Sequence, residues 1–388
     1  MRGERMGRWG LGAVAASFAL AMAACGDDSS DAGSGSGAAG SGGEGAIAAA
    51  QKELDKYRGV PDFTPPGEPF DAKAAVAGKT LMNIPASSSI PFVQTMSDGV
   101  KRIAGEVGLK YLEWPNQGKP VQWVQGMNSG IDRKVAAINL MAGINPASLG
   151  PQIKQAKGQD IDVLASHLYD VGDTPVNGAE TLSVPYEQAG RLLADWVVTK
   201  TKGDGHTLVV KIDEVVSTKP MMKGINDVFS EACGSKCPVS TINVAIADVA
   251  TKIRPQVQSA LVKDPKIKYV IALYDSAEAP FVVSAIKAAG KSGSVKVVTF
   301  NGTPSVLKLV KSGDVEMDVA ENLDWNAHAI ADQAMRLIAG KEPVKDPKLP
   351  LRVYDKSNVD EAGTNQDTAE GFGDAYVDGY RKLWGLDG

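Results

Sequence analysis

From residue 80 onward, short apolar runs alternate with stretches whose apolar residues recur at helical spacing. This alternation restricts the possible folds more than any other feature of the chain. Residues 80–84, 109–114, 135–140 and 161–166 read as strands. Between them Met96, Val100, Ile103, Ala104 and Val107 fall on one helical face, and 121–134 and 147–157 read as helices. The series then repeats. Helices at 189–197, 221–233, 253–261 and 281–289 interleave with strands at 207–212, 239–244, 269–274 and 295–300, and a helix at 306–310, a strand at 315–320 and a helix at 325–338 complete it. Strand–helix alternation builds a parallel sheet with helices on both faces, so the chain is expected to be α/β, with two doubly wound lobes. Ligands of such sheets bind beyond the carboxyl ends of the strands. Two facing lobes would pool those loops in one cleft.

The 388 residues are 43% hydrophobic, enough for two domains or one large bilobed body without a structural staple. The amino end has a different composition. Arg2, Arg5 and Arg8 precede an apolar run at 11–23, too short to span a bilayer, and residues 1–24 read as a signal peptide. Met22-Ala23-Ala24-Cys25 resembles the bacterial lipoprotein cleavage box, which implies a lipid on Cys25 and a membrane anchor outside the cytoplasm. Removing three Arg and one Glu with that segment takes the formal charge from -5 to -7. A mildly acidic chain without a basic run argues against nucleic-acid binding. Cys233 and Cys237 then remain as an even pair in an oxidising compartment, either a disulfide closing a small loop or two free thiols. A metal site there lacks a nearby His and a full ligand set. Residues 25–45 read as a lipid-anchored flexible tether, and 46–78 as an N-terminal extension with a short helix at 46–57 and a Pro-rich connector at 61–69. The GxGxxG match at Gly35–Gly40 has no strand before it, and Gly78-Lys79-Thr80 lacks the earlier glycine of a phosphate loop, so no cofactor is expected.

Several stretches carry a family likeness in order: Pro91-Phe92-Val93-Gln94 after the first strand, Asn145-Pro146 after the third, 269–275 ending in Tyr274-Asp275, and Asn301-Gly302-Thr303-Pro304. Together, 79–352 resembles the type I periplasmic binding proteins of the ribose- and galactose-binding kind. The resemblance implies two lobes joined by three crossings near Ser183, Leu323 and Pro350. It places 79–183 plus 323–350 in an N-terminal lobe and 184–322 plus 351–388 in a C-terminal lobe. Hinge closure on a small ligand would then be read by the permease subunits of an ABC importer. In sugar-binding members an aromatic ring stacks on the sugar and planar polar groups bind its hydroxyls. Carried over by position, Phe92 matches the aromatic, and Ser89 is a substitute for the polar group replaced by Ile90. His167 and Leu168 stand at an acidic–Arg pair, and Met221 lies near an Arg position. Tyr274 replaces an Asn beside the matching Asp275, Asn301 replaces an Asp, and Glu321 replaces a Gln with Asn322 beside it. Trp123 and Trp325 are further wall candidates. These departures make the cleft less charged than a pentose site. A sugar or polyol is the expected ligand, and a nucleoside or aromatic solute stays open.

The three His residues show no metal-protease spacing, and no Gly-x-Ser-x-Gly elbow occurs, so catalysis is not expected. A repressor of this architecture would need a helix-turn-helix ahead of the first lobe, where a signal and a tether stand instead. The sequence leaves open whether the receptor serves an importer or a membrane sensor. Phe372, Tyr376, Tyr380, Leu383 and Trp384 form an aromatic stripe expected on a helix packed against a lobe. A monomer is expected.

Overall fold

A computed structural model describes residues 41–174, 177–363 and 370–386. Cys25, the signal segment and nearly all of the expected tether lie outside the described residues. The elements in chain order begin with α1 (Ser41–Lys56), α2 (Ala72–Val76), β1 (Thr80–Pro85), α3 (Pro91–Val107), β2 (Lys110–Glu113), α4 (Pro120–Asp132), β3 (Ala137–Met141), α5 (Gly150–Lys157), β4 (Asp162–Tyr169) and β5 (Glu180–Ser183). They continue with α6 (Tyr186–Thr201), β6 (His206–Lys211), α7 (Thr218–Ala232), β7 (Val239–Asn243), α8 (Val249–Lys263), β8 (Ile267–Ala272), α9 (Asp275–Ala288), β9 (Lys296–Asn301), α10 (Pro304–Ser312), β10 (Met317–Glu321), α11 (Leu323–Ile338), β11 (Leu351–Asp355) and α12 (Ala375–Leu383).

One sheet is wholly parallel with order β2-β1-β3-β4-β5; the other has order β11-β10-β9-β8-β6-β7, with only β11 antiparallel. The central strands are buried on both faces, as in every residue of β3, which explains their unbroken apolar runs. In each sheet the strand order reverses, between β1 and β3 and between β6 and β8, and loops from the carboxyl ends diverge there to leave a crevice. Local chemistry sets the helix ends. Pro91, Pro120 and Pro304 start α3, α4 and α10, where a missing N–H is no loss, and Gly108 and Gly313 end α3 and α10 in left-handed conformation.

The chain passes between lobes at 183–186, 321–323 and 339–351, and its ends add two more passages among the described residues. The helix α1 packs on α6 of the second lobe, and α2 packs on α11 of the first. The segment between them is a strap rather than a bare connector. Val353 N–H donates to the Tyr57 carbonyl at 2.8 Å, and Phe63 lies between Trp325 and Tyr380 at 5.6 and 5.4 Å. A Cβ at Gly379 would come within 2.0 Å of the Phe63 ring, so α12 carries glycine where the strap crosses it.

Three expectations change. The strands β5 and β11 were not anticipated; each is a short edge strand of four or five residues with little periodicity to read. The whole of 351–388 was assigned to the second lobe, whereas α12 packs on α11 of the first. There Tyr376 donates to Asp324 at 2.8 Å and Trp384 Nε1 donates to Asp332 at 2.8 Å. Phe372 leaves the stripe and packs on Tyr354, while Tyr376, Tyr380, Leu383 and Trp384 are buried.

Candidate ligand cleft

The carboxyl ends of the strands from both sheets converge on one cavity of about 50 Å³. The first lobe lines it with Ala86, Ile90, Phe92 and Val93 after β1, Ala142 after β3 and His167 in β4. The second contributes Ile212, Val215 and Ser217 after β6, Ile246 after β7, Tyr274, Ser276 and Ala277 around the start of α9, and Asn301 at the end of β9. Three of these, Ala142, His167 and Asn301, hold φ values of 54°, 54° and 142°. Such conformations strain residues other than glycine and concentrate at functional sites. At the next position Gly302 is required, because a Cβ there would lie 2.5 Å from that of Ala320.

At the base of the cleft Glu321 ties the lobes together. Its Oε1 accepts from His167 Nε2 at 2.7 Å and Asn301 Nδ2 at 2.8 Å, and its Oε2 accepts from Asn326 Nδ2 at 2.7 Å. His167 and Asn326 belong to the first lobe, Asn301 and Glu321 to the second. The other ring nitrogen, His167 Nδ1, shares a hydrogen bond of 2.8 Å with the Tyr186 hydroxyl. Both nitrogens of His167 are therefore engaged, and its ring meets Phe92 with centroids 4.8 Å apart. Burial, with the Glu321 charge adding to it, holds the Tyr186 hydroxyl protonated far above the ordinary phenol range.

Behind the second-lobe wall Asp275 accepts from Thr303 N and Thr303 Oγ1, each at 2.6 Å, and from Ser276 N. Burial nevertheless pushes Asp275 up to about 7, and it pushes Asp318 and Glu278 well above the carboxylate range. The Tyr274 hydroxyl bonds to Ser217 at 2.9 Å and Thr218 at 2.8 Å, and the Thr218 hydroxyl donates to the Ile212 carbonyl at 2.6 Å.

The residues singled out in the sequence divide by position. Phe92, His167, Tyr274 and Asn301 line the cavity; Glu321 and Asp275 stand directly behind it as supports. The others lie elsewhere, each for a local reason. Ser89 is exposed and bonds to Ser87. Met221 is fully buried where α7 crosses α6, a contact so close that a Cβ at Gly190 would lie 2.1 Å from the Met221 carbonyl oxygen. Trp123 packs in the first-lobe core and donates to the Ala86 carbonyl at 3.0 Å. Asn322 caps α11, accepting from Asp324 N and Trp325 N at 3.0 and 3.1 Å. Trp325 stacks on Tyr376 at 4.7 Å. Val215, Ile246 and Ser276 were not singled out; single apolar residues in the turns after β6 and β7 and one small polar residue at the start of α9 give no periodic signal. Cys233 and Cys237 are joined, their Cα atoms 5.7 Å apart, directly after the carboxyl end of α7.

A profile of the periplasmic binding protein domain matches residues 82–342. The chain belongs to this family. Among curated relatives of this binding protein, a D-ribose/D-allose-binding protein of Pseudomonas aeruginosa is 23% identical over 290 residues, covering 71% of this chain and 85% of its own. A ribose import binding protein of Salmonella typhimurium is 24% identical over 286 residues, covering 72% and 92%. The solved 5-methylthioribose transporter solute-binding protein of Thermotoga lettingae aligns with a TM-score of 0.67 at 20% identity, over 81% of this chain and 100% of its own. The myo-inositol-binding protein of Caulobacter aligns at 0.64 and 19%, over 73% and 95%. The shared fold is the type I binding protein with two parallel-sheet lobes.

Proposed function

We propose that this binding protein is an extracytoplasmic receptor, held at the membrane by lipid on Cys25, that takes a sugar or polyol into the interlobe cleft and presents its closed form to an ABC importer. The observation that carries this reading is the convergence of both lobes' strand ends on one cavity whose base is an interlobe hydrogen-bond cluster at Glu321. The names of the relatives, ribose and allose binders among them, support the ligand class. A cavity of about 50 Å³ holds water rather than a sugar ring, so entry requires the lobes to part and close again. Phe92 offers a ring face to the apolar side of the ligand, and Asn301 offers an amide with both donor and acceptor.

The test is a melting-temperature screen of the protein against sugars, polyols, nucleosides and aromatic acids. A sugar or polyol that raises the melting temperature in the native protein, and not in Asn301→Ala or Phe92→Ala, supports the reading. A hit from another class that survives both changes overturns the ligand and the site. Membrane attachment has its own check: Cys25→Ala should move the protein from the membrane fraction to the soluble one.

A further inference from the structure

The polar groups facing the cavity are nearly all committed to one another. His167 spends both ring nitrogens on Tyr186 and Glu321. The Tyr274 hydroxyl is shared with Ser217 and Thr218. What stays open toward a ligand is one N–H and the carbonyl of Asn301, and the proton of the Ser276 hydroxyl, whose oxygen accepts from Phe92 N at 3.3 Å. Ala86, packed with Val215 and Ile246, and Ile90 line the cavity without a hydrogen-bonding side chain, and among the described residues no Lys, Arg, Asp or Glu lines it.

Ile90 adds a separate observation. It is the N-cap of α3 and makes no capping hydrogen bond. Isoleucine is among the poorest residues for that position, and Asn, Asp and Ser are among the best. The helix start gains nothing from Ile90, while the cavity wall receives its side chain.

We propose that the cleft selects an uncharged, sugar-like ring that keeps hydroxyls for Asn301 and Ser276 and is deoxygenated, alkylated or thioalkylated where it meets Ile90, Val215 and Ile246. This rests on the reading of the cleft as the ligand site. Each hydroxyl buried against the apolar wall without a partner weakens binding about tenfold or more.

Calorimetric titration of the full-length protein with matched pairs tests it: D-ribose with 5-methylthioribose, D-galactose with its 6-deoxy form, and D-glucose with methyl glucoside. The expected result is a preference of about tenfold or more for the substituted member of whichever pair binds. In Ile90→Asn, which places a favoured cap at the start of α3, that preference should shrink or reverse. Equal or tighter binding of the fully hydroxylated member to the native protein overturns the proposal. If that member also loses binding in Asn301→Ala, the receptor reading stands and only the selectivity falls. If no member of any pair binds, both fall.

Discussion

The two lobes are tied together in two very different ways, at the back through the strap, which binds α11 and α12 of the first lobe and β11 of the second, and at the mouth of the cleft by direct contact. At the back, Phe63 of the strap is wedged between Trp325 and Tyr380 of the first lobe, where His328 lies against Tyr376 and Trp384 with centroids 5.2 and 5.7 Å away. Arg336 bonds to Asp332 at 2.7 Å and to the Glu68 carbonyl at 3.0 Å; Arg352 reaches the Arg58 carbonyl at 2.8 Å and also bonds to Gly371 and Glu361. At the mouth, one hydrogen bond joins Phe92 N to Ser276 Oγ, and Ile246 and Val215 rest against Gly118 and Gly143. A hinge needs its stiffness at the pivot and its freedom at the opening. Here both ends of the chain reinforce the pivot and leave the mouth thin.

The largest expected effect is therefore at the back. Trp384 is fully buried, and its indole N–H satisfies Asp332. Trp384→Ala removes the ring from the His328 stack and leaves a cavity, at a cost of about 3–5 kcal/mol in urea unfolding. An equal loss from Ile246→Ala at the mouth would break the comparison.

The same contrast has a pH signature of opposite sign on the two sides. Burial raises Asp275 beside the cleft to about 7 from its ordinary 3.8. Its stabilising contribution is then full below the unfolded value and is lost as pH rises toward about 7. Burial lowers His328, packed between α11 and α12 behind the cleft, from 6.5, so its contribution is full above that value and is lost as pH falls below it. Denaturation midpoints between about pH 5 and pH 8 should show the native protein losing ground to Asp275→Asn as pH rises, and gaining on His328→Phe over the same range. Parallel trends for the two variants would remove the distinction.

How much of this was legible in the sequence follows the same division. The strand–helix series announced the lobes, because parallel strands buried on two faces are plain apolar runs and their helices are amphipathic. Phe92, His167, Tyr274 and Asn301 were legible because family likeness fixes positions at strand ends. Trp123 and Trp325 were not separable from wall residues by type alone, since a Trp that satisfies its N–H in the core reads like one that stacks on a ligand. The strap was opaque: residues 61–69 contain only Phe63 as a large apolar anchor, and Pro-rich sequence reads as linker until its partner, α12, is placed. The apolar wall was opaque for a related reason. Val215 and Ile246 become a wall only when two loops distant in sequence are brought against Ala86.

Glu321 lies between the two surfaces, at the second crossing. Glu321→Gln keeps the shape but turns an N–H₂ toward His167, Asn301 or Asn326, each of which donates to the carboxylate. The expected loss is about 1–3 kcal/mol in stability. Ligand affinity should fall with it, because Asn301 loses the partner that orients it. A variant with native affinity and reduced stability would place Glu321 with the pivot rather than with the site.

The smallest expected effect is at Ser276, and it bears most directly on the motion. Its hydroxyl oxygen accepts the Phe92 N–H at 3.3 Å, a partly buried bond that joins the first lobe to the second. Ser276→Ala should lower global stability by no more than about 1 kcal/mol, the net worth of one such bond. The open form gains relative to the closed one by the same amount, about fivefold in their ratio. Small-angle scattering of the ligand-free variant should show a larger radius of gyration than the native protein, and the two should coincide once ligand is bound. Identical ligand-free profiles would mean that the apolar rim at Val215 and Ile246, and not this hydrogen bond, holds the mouth.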